Sequence, residues 1–179
     1  MLGGDGIVYY QEGSLLIRSM TEPDIDAFFE EFSLQGWEKP KELFKKYLDY
    51  QDNKTRAVVV AEKDGSVAGY ATLIYSAKTG PFKNKHLPEI SDFNVLEKYQ
   101  RGGIGNKIMD VLEAIAKEKS PIITLAAGLY EGYGTAQRMY VKRGYIPDGS
   151  GVWYGDSRVT PGQKLPVDDA LVLYFLKPL

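Results

Sequence analysis

Cysteine is absent from the 179-residue chain. Its absence excludes disulfides, thiolate-bound metal and a thiol-based acyl-enzyme, and it favours a cytoplasmic protein. No run of about 20 apolar residues is present, and the N-terminal segment lacks the basic start and apolar core of a signal peptide, so we expect no membrane association. The net charge of -2 comes without a long basic block, which argues against nucleic acid as a partner.

Histidine is nearly absent as well. The one histidine, His86, lies in a loop beside lysines and is predicted to be a surface residue. The G-x-S-x-G pattern of a hydrolase nucleophile is missing. Without a nucleophile apparatus or a cluster of metal-binding side chains, we expect no covalent enzyme intermediate and no metal cofactor.

The chain instead alternates short strand-like and helix-like segments. Strands are predicted at 14–20, 56–76 (a hairpin turning at Asp64-Gly65), 89–97, 121–128 and 168–177. Helices are predicted at 21–32 (capped by Thr21), 39–51, 103–119 and 134–144. A helix between two strands over 89–127 predicts a parallel crossover, and therefore an α/β or α+β fold with a mixed sheet. We expect a single domain over 1–179, with 1–13 as a possible N-terminal extension and 147–169 as a long loop.

Three glycines stand in the stretch "YQRGGIGNKIM" (99–109), where a helix must begin. Glycine there lets the backbone approach a ligand closely and allows positive φ. A helix N-terminus carries unpaired N–H groups and a partial positive charge, which together favour phosphate. Arg101 would add a charged contact to the same anion. The competing interpretation is a tight strand-to-helix turn that binds nothing.

The two common phosphate patterns do not fit this turn. The dinucleotide pattern G-x-G-x-x-G fails because Ile108 stands where the third glycine belongs. The P-loop pattern fails because Ile108 also replaces the Ser or Thr that would hold magnesium. A nucleotide-binding oxidoreductase is therefore disfavoured.

Two motifs resemble the GNAT acetyltransferase superfamily. Gln100-x-x-Gly103-x-Gly105 matches its Q/R-x-x-G-x-G/A signature, and Val95 stands at the small apolar end of the preceding strand. The later stretch 136–145 matches its A-x-x-hydrophobic-Y-x-x-x-G-F/Y pattern. The clear resemblance covers 89–146. It implies a mixed, mostly antiparallel central sheet flanked by helices, with two parallel central strands that splay apart.

The resemblance also implies acetyl-CoA as the cosubstrate. The diphosphate would sit on the turn amides from Arg101 to Asn106, and the pantetheine arm would pair with the strand near Phe93. Tyr133 stands where the family often has an Asn, three residues before the Ala of the second motif. The Tyr133 hydroxyl would make the polar contact to the pantetheine arm in its place, or that contact would be lost. The residues assigned to the donor site are Phe93, Asn94, Val95, Gln100, Arg101, Gly102, Gly103, Ile104, Gly105, Asn106, Tyr133 and Ala136.

Acetyl transfer needs a neutral amine and a protonated leaving thiolate. Tyr140 in the second motif is the general-acid candidate, because a phenol with a pKa of about 10 stays protonated at neutral pH. Glu89, six residues before Val95 as in part of the family, is the base candidate, directly or through water. Each residue has a structural alternative: Tyr140 as a core aromatic, Glu89 as a structural carboxylate. Strand alternation places Asp92 on the face opposite Glu89, unless a bulge intervenes.

The sequence therefore predicts an N-acetyltransferase acting directly on a small-molecule amine. Two alternatives stay open: a protein lysine or N-terminal acetyltransferase, and a non-catalytic acyl-CoA sensor. Aromatic residues could line the acceptor pocket, and a homodimer through the C-terminal strands is a further expectation from the family. The aromatic candidates are Trp37, Tyr130, Tyr133, Trp153 and Tyr154.

Overall fold

The computed structural model describes residues 6–179. Its helices are α1 (Pro23–Leu34), α2 (Lys41–Asp52), α3 (Ile104–Lys117) and α4 (Gly134–Lys142). Its strands are β1 (Val8–Glu12), β2 (Leu15–Ser19), β3 (Arg56–Lys63), β4 (Ser66–Ile74), β5 (Glu89–Val95), β6 (Ile122–Gly128), β7 (Ile146–Tyr154), β8 (Ser157–Arg158) and β9 (Leu171–Pro178). None of the helices over 6–179 is both long enough and apolar enough to cross a bilayer.

The strands are hydrogen-bonded in the order β1-β2-β3-β4-β5-β6-β9-β7-β8. Strands β1 to β4 form antiparallel neighbours, as do β6 with β9 and β9 with β7. The pair β5–β6 is parallel, with Glu89 opposite Thr124 and Ile90 opposite Leu125. This mixed, mostly antiparallel sheet with flanking helices confirms the predicted fold class.

The chain divides into two compact units. The first unit runs to Ile74 and resumes at Asp92–Ile115, and the second comprises Tyr75–Ser91 and Ala116–Leu179. The boundary falls inside β5, between Ser91 and Asp92. The first unit thus holds β1 to β4, α1 and α2, whereas the second holds β6, α4 and β7 to β9.

An aromatic cluster fills the core of the first unit. The rings of Phe28 and Phe44 stack at 5.4 Å between centroids, and Tyr70 of β4 meets Phe28 edge-on at 5.1 Å. Phe32 and Tyr47 complete the cluster from the buried faces of α1 and α2. Burying such side chains stabilises the fold by about 1.5–3 kcal/mol each, so this cluster fixes both helices on the sheet.

Most predicted elements are found, with ends shifted by a few residues. The hairpin turns at Asp64-Gly65, both with positive φ, as predicted. Gly144 follows the end of α4 with φ +89°, the left-handed conformation typical of a helix stop. The predicted Thr21 cap is wrong: the helix begins after Glu22, and the Thr21 hydroxyl donates to Asp24 instead of accepting from the backbone.

Three strands, β1, β7 and β8, lie where the sequence predicts none. The expected extension 1–13 contains β1, while its residues 1–5 lie outside the described part of the chain. The expected loop 147–169 is wrong over its first part, because β7 pairs with β9 there. The β7–β9 register shifts between Pro147 and Val152, where two glycines with positive φ absorb the extra residues.

Candidate functional site

The glycine turn begins α3 in an unusual backbone conformation. Arg101 has φ +64° and Gly103 has φ +81°, and the Gly103 carbonyl accepts the first helical hydrogen bond from Lys107 N–H at 3.2 Å. A Cβ built at Gly103 would meet nothing within 4 Å. The first turn of a helix presents N–H groups that no carbonyl of the preceding turn can accept. The turn therefore offers open space at the positive end of a helix.

Gln100 ties this turn to the end of β5. Its Nε2 donates to the carbonyl of Val95 at 3.0 Å, across a short 3-10 helix at Glu97–Tyr99. Gln100 itself is exposed, so the amide reaches back over the surface of the turn. This bond fixes the spacing between the strand end and the helix start, which gives the first residue of the motif a structural role.

Strand β5 carries a backbone irregularity at Asp92, which has φ +49°. This left-handed residue interrupts the alternation of side chains that the sequence predicts for a regular strand. The Asp92 carboxylate accepts hydrogen bonds from Lys39 Nζ at 2.9 Å, Tyr47 OH at 2.7 Å, Tyr70 OH at 2.5 Å and Asn94 Nδ2 at 2.7 Å. Four donors thus surround its two oxygens.

The protonation states in this network follow from its contacts. Burial alone would raise the pKa of Asp92, but the Lys39 ammonium and the two tyrosine hydroxyls outweigh it and lower the pKa. Burial and then the charge of Asp92 raise the pKa of both Tyr47 and Tyr70. Asp92 is therefore ionised and the phenols are neutral at physiological pH, so Asp92 is a poor proton acceptor.

Strand β4 packs closely against the C-terminal end of β5. A Cβ built at Gly69 would lie 2.6 Å from the carbonyl oxygen of Asn94 and 3.1 Å from the Cα of Val95. Both atoms belong to the backbone and cannot turn away, so β4 requires glycine here. Leu96 N–H then donates to the carbonyl of Ala68 at 2.9 Å.

In the second unit, the base candidate Glu89 is 7% exposed at the start of β5. Its strand neighbour on β6 is Thr124, whose hydroxyl donates to the carbonyl of Pro88 at 2.9 Å. Burial, and then the negative charge of Glu89, raise the pKa of Tyr174 on β9. Glu89 is thus a buried carboxylate beside an aromatic cluster formed by Tyr174 with Phe82 and others.

The acid candidate Tyr140 lies on α4 and is 6% exposed. Its ring meets Tyr145 edge-on, with 5.9 Å between centroids. Over residues 6–179, no partner hydrogen-bonds the Tyr140 hydroxyl. Burial, and then the neighbouring Tyr133, raise the pKa of Tyr140. Ala136, one turn earlier, is half-buried.

The Tyr133 hydroxyl is already occupied. It donates to Asp169 at 3.1 Å, and Tyr130 donates to the same oxygen at 2.6 Å. A Cβ at Gly128 would lie 2.4 Å from the Tyr133 ring, so Gly128 leaves room for that ring. Gln137 donates to the Gly128 carbonyl at 2.6 Å, a contact that sequence reasoning does not anticipate.

The remaining aromatic candidates have separate surroundings. Trp37 is 40% exposed and stacks on Phe32 at 5.9 Å between centroids. Trp153 packs edge-on against Tyr174 at 5.7 Å, and the Tyr154 hydroxyl donates to Asp168 at 2.9 Å. His86, as predicted, is exposed.

The candidate residues fall into two groups by unit. The first unit contains the glycine turn and the end of β5, which the Gln100–Val95 hydrogen bond joins. The second unit contains Glu89, Tyr133, Ala136 and Tyr140. Sequence reasoning missed Lys39, Tyr47 and Tyr70, because no local pattern links them to Asp92. Within residues 6–179, no group of three or more His, Cys, Asp or Glu side chains could hold a metal ion.

Comparison with known proteins finds a matching family model and solved structures with a similar fold. A model described as "Acetyltransferase (GNAT) family" matches residues 23–145, about two thirds of the chain. No curated protein matches the chain.

Three solved structures show the same fold. Ribosomal-protein-alanine N-acetyltransferase from Brucella melitensis is 23% identical, with 92% of this chain and 99% of that chain covered and a TM-score of 0.66. The PaiA N-acetyltransferase from Thermoplasma acidophilum in complex with coenzyme A is 16% identical, with 93% and 100% covered and a TM-score of 0.64. A GNAT family acetyltransferase from Elizabethkingia anophelis with acetyl-CoA bound is 17% identical, with 94% and 100% covered and a TM-score of 0.61.

Proposed function

Because the chain belongs to the acetyltransferase (GNAT) family, we propose that it transfers an acetyl group directly from acetyl-CoA to the amine of a small molecule. The family match confirms the resemblance that the two sequence motifs predict. The observation that carries the proposal is the turn at 100–103, where open backbone begins α3 and Gln100 ties it to β5. We further propose that the chain forms a single N-acetyltransferase domain.

The turn would hold the diphosphate of the donor. Its amides from Arg101 to Asn106 lie at the positive end of α3, where an anion is stabilised by about 0.3–1 kcal/mol from the helix dipole in addition to its hydrogen bonds. Gly103 has no Cβ to keep the phosphate away, and Arg101 is exposed. Coenzyme A bound to the Thermoplasma acidophilum protein supports this choice of ligand.

The pantetheine arm would follow β5 beyond Asp92. Its amide groups can pair with the main chain of Phe93 to Val95 in the manner of an added strand. This segment is half-buried, so it leaves surface for a ligand. The Gln100–Val95 bond would keep the strand and the diphosphate turn at a fixed spacing.

The reaction forms one bond and breaks one. The neutral amine attacks the thioester carbonyl, a C–N bond forms, the C–S bond breaks, and the thiolate of CoA takes a proton. We assign the proton donor as the Tyr140 hydroxyl, which no described residue occupies. The raised pKa of Tyr140 keeps it protonated at neutral pH. Tyr140 donates a hydrogen bond to the sulfur as the thiolate develops and gives it a proton, and the proton that the attacking nitrogen releases is returned to Tyr140 through water, so the protons balance.

Glu89 is the proposed acceptor of the amine proton. Its burial at the start of β5 places a carboxylate away from bulk water. The lowered pKa of Asp92 makes that neighbouring carboxylate the poorer candidate. We place the enzyme in the cytoplasm, in agreement with its lack of cysteine.

Ligand-dependent thermal unfolding tests the donor. Acetyl-CoA at 100 times its Kd should stabilise the protein by about 2.7 kcal/mol. For a chain of this length that corresponds to a rise of about 5–11 °C in Tm. NAD and ATP at the same concentrations serve as controls and should give much smaller shifts. A shift with either control and none with acetyl-CoA would contradict the proposed donor.

A further inference from the structure

Lys39 connects two parts of the first unit that are far apart in sequence. It lies between α1 and α2, just before Pro40, and Asp92 follows 53 residues later. Its ammonium donates to Asp92 at 2.9 Å and to Tyr70 OH at 2.8 Å. The side chains of Lys39 and Asp92 are 17% and 22% exposed, so the pair is largely shielded from water.

Aromatic rings hold the lysine in place. The Lys39 ammonium lies 5.4 Å from the ring centroids of both Phe32 and Tyr70. Such contacts favour a cation and gain strength as water is removed. Lys39 is therefore held by a carboxylate, a hydroxyl and two ring faces, which is more than a surface ion pair provides.

Two sets of contacts fix the segment that follows Asp92. From one side, the Asp92 carboxylate holds the side-chain amide of Asn94 at 2.7 Å. From β4, the backbone at Gly69 leaves no room for a Cβ beside Asn94 and Val95. Asp92 itself has φ +49°, a conformation that few non-glycine residues adopt without a supporting contact. The left-handed turn and the residues after it are thus held by side chains from α2, β4 and the α1–α2 connection.

We propose that Lys39 and Asp92 form a positioning pair that holds the main chain of Phe93 to Val95 in the conformation that receives the pantetheine arm of acetyl-CoA. This inference rests on the proposed function. Lys39 is a positioning residue, since it acts through Asp92 and Asn94. Asp92 accepts four hydrogen bonds and so has little capacity left to serve as a base.

Calorimetric binding of CoA to three variants tests the pair. Lys39→Met removes the ammonium and leaves the Asp92 carboxylate without its counter-ion. Lys39→Met/Asp92→Asn removes both charges, and Asn keeps one oxygen acceptor and tolerates positive φ. Lys41→Met is the matched control: Lys41 pairs with Asp26 at 2.6 Å, but both side chains are exposed.

Lys39→Met should weaken CoA binding about tenfold, the equivalent of about 1.4 kcal/mol. Its KM for acetyl-CoA should rise in parallel while kcat changes much less, a split that loss of stability alone does not produce. The double variant should recover most of the affinity, and Lys41→Met should bind like the wild type. If Lys39→Met does not fold, Tyr47→Phe removes a single donor to Asp92 and should weaken CoA binding by a smaller factor, about threefold.

A folded Lys39→Met protein with wild-type affinity for CoA would overturn the inference. A double variant that binds CoA as weakly as Lys39→Met would also overturn the inference. If Lys39→Met does not fold, an unchanged affinity of Tyr47→Phe for CoA would overturn it. Failure of the proposed function is distinguishable: a wrong donor would leave the wild type itself unable to bind CoA, and a non-catalytic sensor would bind CoA but release no thiol with any amine.

Discussion

Replacing Tyr140 by Phe is expected to lower kcat by a factor on the order of 10² or more, within the usual range for loss of an acid catalyst. The substitution removes one hydroxyl that no residue of the described chain binds, and it keeps the buried ring against Tyr145. An interaction made only in the transition state lowers kcat and kcat/KM together. The free energy of acetyl-CoA binding should therefore change by less than about 1 kcal/mol.

Tyr145→Phe is the matched control for Tyr140→Phe. It removes a hydroxyl from the adjacent ring at a position where the family motif accepts either Phe or Tyr. Its kcat should stay near that of the wild type. Unchanged kcat in Tyr140→Phe would contradict the acid role, once pre-steady-state thiol release has shown that product release is not rate-limiting. Loss of stability and CoA binding together would instead identify Tyr140 as a packing residue.

Gly105→Val is expected to weaken CoA binding more than tenfold, a loss above about 1.4 kcal/mol, and to leave Tm nearly unchanged. Gly105 lies in the first turn of α3, where a helical backbone accommodates a side chain, and the family signature Q/R-x-x-G-x-G/A has only Gly or Ala at this position. The fold therefore tolerates a side chain, whereas a phosphate lying on the turn amides would not. Calorimetry with CoA and thermal unfolding measure the two effects separately.

Gly103 gives a less selective test. The motif alone predicts that Gly103→Val affects binding more than stability. Its φ of +81° adds a conformational cost of about 1–2 kcal/mol for any side chain, so both quantities should fall. Gly105→Ala serves as the graded control, because the signature accepts Ala at this position, and it should lose less affinity than Gly105→Val. Wild-type affinity in a folded Gly105→Val protein would return the turn to a purely structural role.

The elements that the sequence predicts correctly have local causes. α3 shows a clear apolar face, and the Asp64-Gly65 turn has the residues that a two-residue hairpin requires. The turn at 100–103 is predictable for the same reason, because glycine and its neighbours determine the backbone there. The two motifs then point to the family, which the family match confirms.

The missed strand β7 shows where local reasoning fails. Its sequence, IPDGSGVWY, contains proline and two glycines with positive φ, and composition of this kind is typical of a loop. Pairing with β9 stabilises it as a strand around an irregular register. That pairing depends on contacts across the sheet, and no periodicity within the segment records them.

The network around Asp92 could not be predicted for a different reason. Lys39, Tyr47 and Tyr70 lie 53, 45 and 22 residues from Asp92 in the chain. Each belongs to a separate element, and none stands in a motif. The sequence indicates only that Asp92 lies on the strand face opposite Glu89 unless a bulge intervenes. The φ of +49° at Asp92 shows such an irregularity.

Release of free CoA thiol, measured with saturating acetyl-CoA over a panel of amines, tests the central claim most directly. The panel should contain small primary amines and peptides with a free N-terminus or lysine. The account predicts thiol release with at least one small amine, matched one to one by acetylated product and reduced by Tyr140→Phe. Release with peptides alone would contradict the small-molecule acceptor. Tight binding of acetyl-CoA without release above background for any acceptor would identify a sensor and contradict the proposed enzyme.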